Sequence, residues 1–221
     1  MNDPLPLVVA NLKANKTWQE IVGWLDLVGP KALDFPGTIV VCPSLPFIGS
    51  AHAKIQSANW RIKLAVQNIS QFDQGPYTGE VAATQVKNLC DYAIVGHSER
   101  RQNFTESDNI VAQKFQKAKE AGLTAIFCAT GPGIAIPAGV RVVAYEPIFA
   151  IGTGNTDTPE NAVSVAQKLK AKGEFIVIYG GSVTGENVAS FLKKGTVDGV
   201  LVGTASLDPA TFIDIIESAT Y

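Results

Sequence analysis

The 221-residue sequence predicts a parallel α/β fold closed into a (β/α)8 barrel. Three observations carry that reading. Eight short apolar runs recur along the chain, amphipathic segments separate most of them, and the runs lack strict apolar–polar alternation. Parallel strands covered on both faces look like this. The runs span residues 7–10, 38–42, 63–67, 92–95, 124–128, 142–145, 175–179 and 199–202, and are rich in Val, Ile, Leu or Ala. An open doubly wound sheet is the competing arrangement. Strand count and chain length favour the barrel. No dinucleotide-binding fingerprint supports the open sheet, because Gly152-Thr153-Gly154 and Gly131-Pro132-Gly133 both lack a third glycine at the required offset. Residues 1–221 read as one barrel domain without a linker or low-complexity tract.

The intervening elements follow from caps and periodicity. A helix over 18–28 follows Thr17, which is suited to the N-cap. The stretch 108–121 ends at Gly122, a C-cap residue. Thr158-Pro159-Glu160 opens a helix with proline at its first position, and Ala162, Val165, Ala166 and Leu169 then share one face. Segments 184–191 and 209–219 complete the set. The connection over 129–139, ATGPGIAIPAG, cannot be a stable amphipathic helix with two prolines and three glycines. The fifth helix is therefore expected to be missing or reduced to a turn. The barrel wall there is expected to be thinly covered, with apolar surface left for an oligomer contact.

Composition narrows the functional classes. Apolar residues make up 46% and charged residues 17%, which excludes a disordered chain, and a net charge of -2 offers no field for nucleic acid or a membrane surface. Cys42, Cys90 and Cys128 lie in or beside apolar runs without metal-ligand spacing, so they read as core residues in a reducing compartment and no metal is expected. The opening MNDPLPLVVANLK lacks a basic n-region and a long apolar run. A cytoplasmic protein is expected.

In such a barrel the loops after the strands share one face, which carries the chemistry. Asn11 and Lys13 follow the first run; His97, Ser98, Glu99, Arg100 and Arg101 follow the fourth; Glu146 and a Gly-rich loop to Gly154 follow the sixth. Gly180-Gly181-Ser182 follow the seventh, and Gly203-Thr204 the eighth. A carboxylate, an imidazole and an ammonium therefore converge on one mouth. The last two turns read as an anion site, because small residues let backbone N–H groups approach a phosphate. A tight strand-to-helix connection would use the same glycines. Two such turns in consecutive units, with Gly152 reaching in from a third, favour phosphate.

Asn11-Leu12-Lys13, Gly96-His97-Ser98-Glu99-Arg100-Arg101, the run from Ala144-Tyr145-Glu146-Pro147 to Gly152-Thr153-Gly154, and Tyr179-Gly180-Gly181-Ser182 resemble the signature segments of the triosephosphate isomerase family, in its order. Tyr77-Thr78-Gly79-Glu80 resembles that family's third loop, which packs across a dimer. The similarity covers essentially the whole chain. It implies the TIM-barrel fold and cofactor-free interconversion of D-glyceraldehyde 3-phosphate and dihydroxyacetone phosphate, a step of glycolysis and gluconeogenesis. It further implies Glu146 as the base, a neutral His97 at a helix N-terminus as the electrophile, and Lys13 as the fixed positive charge. Substrate contacts are implied for Asn11, Lys13, Gly152, Ser182, Gly203 and Thr204. Glu99 and Arg100-Arg101 are implied in a supporting network, for which a solvated charge cluster is the plain alternative, and Thr78 in contact with a neighbouring subunit's Asn11. Residues 147–154 resemble the family's mobile lid. A homodimer is the first expectation and a tetramer the second.

Three positions depart from the pattern. Phe149 stands where most relatives have Trp and lacks the indole donor. Thr204 replaces a second glycine, which raises the question of whether its backbone suits a β-branched residue. The Cys128-Ala129-Thr130-Gly131 segment lacks the family's Glu. A non-catalytic sugar-phosphate-binding barrel is the alternative function, and the Lys13, His97 and Glu146 set argues against it. Another phosphate-binding barrel isomerase fits the fold but not the segments around His97 and Glu146.

Overall fold

The computed structural model describes residues 3–150, 156–192 and 195–219. Strands β1 (Leu7–Asn11), β2 (Thr38–Cys42), β3 (Ile62–Val66), β4 (Tyr92–Val95), β5 (Thr124–Ala129), β6 (Val142–Tyr145), β7 (Ile176–Tyr179) and β8 (Gly199–Val202) pair in parallel and in sequence order, and β8 closes on β1. The expected run boundaries agree with these strands to within one residue. Outside the barrel lie α1 (Trp18–Asp34), α2 (Ile48–Ser57), α3 (Ala83–Val86), α4 (Ser98–Asn103), α5 (Asp108–Ala121), α6 (Pro159–Lys170), α7 (Val188–Leu192) and α8 (Pro209–Ser218). Among the described residues no helix is long and apolar enough to cross a membrane.

Two apolar layers explain why the strands do not alternate. Leu7 and Val9 of β1 join Val40, Tyr92, Ile94, Ile126, Cys128, Ala144, Ile178 and Leu201 inside the barrel. Val8 and Ala10 face outward into the layer shared with Trp24, Phe115, Leu169 and Phe212 of the helices. Side chains of successive strand residues point to opposite faces, and here both faces are buried. Trp24 Nε1–H donates to the Ser206 carbonyl at 2.8 Å, which ties α1 to the end of β8.

The base of the barrel is closed by a polar cluster. Lys63 Nζ lies 2.6 Å from Asp3 Oδ1, and the Tyr92 hydroxyl donates to Asp3 Oδ2.

Two helices differ from the sequence expectation, and a third place differs in how the barrel wall is covered. First, α1 continues through Gly29-Pro30 to Asp34 instead of stopping at residue 28. Gly29 lies under the Trp60 ring, where a Cβ would come within 2.2 Å of ring carbon. Burial of Val28, Gly29 and Ala32 outweighs the hydrogen bond lost at Pro30. Second, α7 begins only at Val188. Thr184 N–H donates to Asn187 Oδ1 at 2.8 Å, forming a turn ahead of the helix. Third, no helix links β5 to β6, as the sequence implied, but this wall is not left bare. Ile134 and Ile136, two residues apart, both pack against the outer core layer, and no large exposed apolar side chain lies in the connection. The two partly buried isoleucines do the covering that a helix does elsewhere, so the expected exposed apolar patch for an oligomer contact is absent there.

Candidate active site

The inward parity of the strands continues past their C-terminal ends. On β1 the sequence Leu7, Val9 leads to Asn11; on β6, Val142 and Ala144 lead to Glu146; on β7, Ile176 and Ile178 lead to Gly180; on β8, Leu201 leads to Gly203. Residue types that cannot fill a dry core thus appear where the barrel opens. Of these, Asn11, Gly180 and Gly203 border a cavity of about 350 Å³ that Lys13, His97, Gly181, Ser182 and Thr204 also line.

Lys13 reaches this cavity from a left-handed backbone, φ 52°. That conformation is uncommon for a residue with a Cβ and persists only when neighbours hold it. Its carbonyl accepts from Ser44 Oγ and from Gln67 Nε2, each at 2.9 Å, and its N–H donates to Asn11 Oδ1 at 3.2 Å. Gln67 Nε2 also donates to the Cys42 carbonyl at 2.8 Å, which joins the ends of three strands. The Lys13 ammonium is ion-paired with Glu99. Gln67 and Ser44 are site-building residues that the sequence reading passed over. A polar residue immediately after an apolar run was the available signal for Gln67, and the assumed run absorbed it.

His97 is the N-cap of α4. The turn into it passes through Gly96 at φ +73°, where a Cβ would sit 2.6 Å from Val111 Cγ1. His97 Nδ1 accepts from the Glu99 backbone N–H at 3.2 Å. A ring nitrogen that accepts carries no proton, so this contact calls for the ring hydrogen on Nε2. That hydrogen is available to a partner in the cavity.

Glu146 is 1% exposed. Its Oε2 accepts from the Ser98 backbone N–H at 2.8 Å, while Oε1 lies 3.1 Å from His97 Nε2 without hydrogen-bond alignment and has no partner. A buried carboxylate oxygen left unpaired is costly, which marks a group held ready for another contact. Gly180 makes room for it, since a Cβ there would stand 3.0 Å from Glu146 Cγ. At Gly181 a Cβ would fall 2.1 Å from the Tyr179 hydroxyl oxygen. The neighbouring Cys128 thiol is pushed well above its ordinary range by burial and then by the Glu146 charge, so it stays protonated and apolar in behaviour.

The remaining expected residues fall as follows. Ser182, Gly203 and Thr204 share the cavity wall. Thr204 opens a three-residue 3-10 turn and does not adopt a left-handed backbone, so threonine is unstrained there. This wall is therefore made by loops and this short turn, not by the start of a long helix. Arg100 and Arg101 are not a solvated cluster. Arg100 Nε donates to Glu106 at 2.6 Å, and Arg101 donates to the Gly96 carbonyl at 2.9 Å and to Asp108 at 2.6 Å. Thr78 is exposed on the loop after β3, beside Tyr77. Gly152, with most of the segment expected to form a lid, lies outside the described residues. Among the described residues no cluster of three His, Cys, Asp or Glu is placed to hold a metal ion.

A closed barrel of eight parallel strands, with a buried carboxylate and an imidazole meeting at its C-terminal mouth, defines a (β/α)8 barrel with acid–base side chains on the face where such barrels carry their chemistry. A sequence model of the family described as Triosephosphate isomerase matches residues 6–133 and 136–219. Curated proteins named triosephosphate isomerase resemble it end to end. The one from Rubrobacter xylanophilus is 35% identical, covering 97% of both chains. Those from Aquifex aeolicus and Thermus thermophilus are 33% and 34% identical, each covering 96% of this chain and 98% of the relative. The chain belongs to the triosephosphate isomerase family.

Proposed function

We propose that the chain interconverts D-glyceraldehyde 3-phosphate and dihydroxyacetone phosphate by moving one proton between adjacent carbons, with Glu146, His97 and Lys13 as the working groups. One observation carries the assignment of roles. The unpaired Oε1 of a buried Glu146 stands 3.1 Å from the protonated nitrogen of a neutral His97. A base and a hydrogen-bond donor so placed can act on the C–H and the oxygen of one substrate.

The chemistry follows from these groups. Glu146 takes a proton from the carbon beside the carbonyl, and the C–H electron pair becomes the carbon–carbon double bond of an enediolate. The former carbonyl oxygen gains the negative charge, and His97 Nε2–H donates to it. Lys13 adds fixed positive charge for the phosphate and the developing enediolate. His97 Nε2 gives its hydrogen to this oxyanion and takes the one on the adjacent hydroxyl, which moves the negative charge to the second oxygen. Glu146 then returns its proton to the former carbonyl carbon as the second oxygen becomes the new carbonyl. In the observed rotamer Oε2 is engaged by Ser98 N–H and the carboxylate does not border the cavity. Rotation about the Glu146 side-chain bonds releases that N–H and brings the carboxylate over the substrate carbons. Asn11, Ser182, Gly203 and Thr204 hold the substrate, with Gly152 as a further phosphate contact.

The working form is a homodimer, with a tetramer second, in the cytoplasm. A second cavity of about 400 Å³, bordered by Asn11, Lys13, Glu99 and Phe104, supports a partner contact beside the site. Exposed Phe72 and Tyr77, stacked at 4.2 Å, form an apolar knob of the kind that fits such a cavity. The buried free thiols agree with a reducing compartment. A coupled assay with glyceraldehyde 3-phosphate, without added metal or nucleotide, tests the activity. Turnover to dihydroxyacetone phosphate is expected; phosphate binding without turnover supports the non-catalytic alternative. Sedimentation velocity tests the assembly, where a monomer at micromolar concentration overturns it.

A further inference from the structure

A cluster of polar groups lies just behind the cavity, at the start of α6, and the mechanism above does not use it. Asp157 is 5% exposed. Its carboxylate accepts from three donor groups: the Tyr145 hydroxyl at 3.1 Å, the Thr158 backbone N–H at 2.8 Å, and the Asn161 side-chain amide nitrogen, which lies 2.9 and 2.8 Å from its two oxygens. Its backbone N–H donates to the Tyr179 hydroxyl at 3.0 Å. These partners sit at informative places. Tyr145 is the last residue of β6, directly before Glu146, and Tyr179 is the last of β7, directly before Gly180 and Gly181. Thr156, the residue before Asp157, borders the cavity itself.

Both phenols are suited to this arrangement. Burial first, and then the Asp157 charge, raise the Tyr145 hydroxyl well above its ordinary range, so it keeps the proton it donates. The Tyr179 hydroxyl is pushed up to about 12, chiefly by burial. The two rings are tilted against each other with centroids 6.2 Å apart, and Tyr179 stacks on Phe191 of α7 at 4.2 Å. The two halves of Asp157 hold different strand ends: moving the end of β6 breaks the charge-assisted hydrogen bond from Tyr145 to the buried carboxylate, and moving the end of β7 breaks the one from the Asp157 backbone N–H to Tyr179.

We propose that Asp157 is a positioning residue, which fixes the end of β6 that bears Glu146 relative to the end of β7 that bears the anion-binding glycines. The inference rests on Glu146 being the base and on the Gly180–Gly181 turn holding phosphate. It assigns a task to a carboxylate that touches no reacting atom: setting the distance between proton transfer and phosphate. Misplacement of about 1 Å is enough to cost roughly a hundredfold in a reaction that depends on alignment.

The test uses the whole protein and three variants, Asp157→Ala, Tyr145→Phe and the double variant. Steady-state kinetics on glyceraldehyde 3-phosphate is combined with calorimetric titration by inorganic phosphate. Each single change is expected to lower kcat by about tenfold or more and to weaken phosphate binding severalfold, and the double variant to be no worse than the poorer single, because both cut one link. The exchange Asp157→Asn with Asn161→Asp, which keeps an acceptor for Tyr145 and an amide–carboxylate pair, is expected to recover much of the loss. Tyr145→Phe removes only a hydroxyl and serves if Asp157→Ala does not fold. Folded variants with kcat and phosphate affinity within about twofold of the parent overturn the proposal, even if their melting temperature falls, since a structural role alone moves only the latter. Glu146→Gln measured alongside separates the two ideas. Full turnover in that variant defeats the base assignment, while the phosphate titrations still judge Asp157.

Discussion

Replacing Glu106 with Gln isolates one buried charge. Glu106 and Lys114 are both almost fully buried, and Glu106 Oε1 accepts from Lys114 Nζ and from Arg100 Nε, while Oε2 makes no hydrogen bond. Glutamine keeps the accepting oxygen and places its amide nitrogen where nothing is now paired, so the principal change is loss of the negative charge. At the Arg100 separation of 2.6 Å and an effective dielectric of about 20, Coulomb's law gives an upper bound of ~6 kcal/mol. Lys114 limits the loss by shedding its proton, which from a reference near 10.4 to pH 7 costs ~5 kcal/mol. Burial already lowers its pKa, against the opposing pull of Glu106. The expected destabilisation is therefore about 3–5 kcal/mol, in the range for a broken buried pair. For a chain of this size that is a fall in Tm of roughly 6–20 °C by calorimetry or circular dichroism. The deficit depends on pH in a defined sense. A lysine held neutral in the fold and charged when unfolded binds fewer protons in the native state, so stability rises with pH between the folded and unfolded pKa values. Raising pH from 7 to 9 recovers up to ~3 kcal/mol of the deficit. Adding Lys114→Met is expected to recover stability at pH 7. A variant within about 1 kcal/mol of the parent at pH 7, or a deficit unchanged at pH 9, refutes the reasoning.

Three further outcomes follow from the same geometry. His97→Gln, which removes the ring donor while leaving α4 in place, is expected to lower kcat by about a hundredfold or more with an unchanged circular dichroism spectrum; a loss below tenfold counts against its electrophilic role. Thr204→Gly is expected to leave inhibition by inorganic phosphate within about threefold, because threonine is unstrained at this turn; a marked tightening shows that strain exists after all. Burial alone raises the Asp3 carboxyl, but the hydrogen bonds from Lys63 and Tyr92 outweigh it and hold its pKa below the ordinary carboxylate range. A depressed carboxylate contributes stability above its unfolded value and loses it as pH falls through the folded one. Acid titration of Asp3→Asn is thus expected to show a shallower loss of stability below about pH 4 than the parent, and parallel curves contradict this.

Much of this molecule is written in local pattern. The β6 run ends in Tyr145, and the inward parity that makes Val142 and Ala144 apolar also delivers Glu146 to the mouth. The caps at Thr17, Gly122 and Thr158 set helix ends as their side chains and backbone angles require. Long-range packing is what local pattern cannot express. Pro30 looks like a helix end until Trp60 is seen lying on Gly29. The connection after β5 reads as an uncovered wall until Ile134 and Ile136 are seen to alternate inward. At the site, Lys13, His97 and Glu146 stand out as chemical types after strands. The groups that hold them, Gln67 on the Lys13 carbonyl and Asp157 on Tyr145, are visible only once distant strand ends share hydrogen bonds.

The central claim is that Glu146 moves the proton. Isomerisation of glyceraldehyde 3-phosphate in heavy water, with the dihydroxyacetone phosphate product examined by NMR, tests it most directly. The native protein is expected to place solvent deuterium on the newly protonated carbon in part of the product. Glu146→Gln, folded and still binding phosphate, is expected to turn over at least about a thousandfold more slowly. Undiminished turnover by Glu146→Gln contradicts proton transfer through this carboxylate.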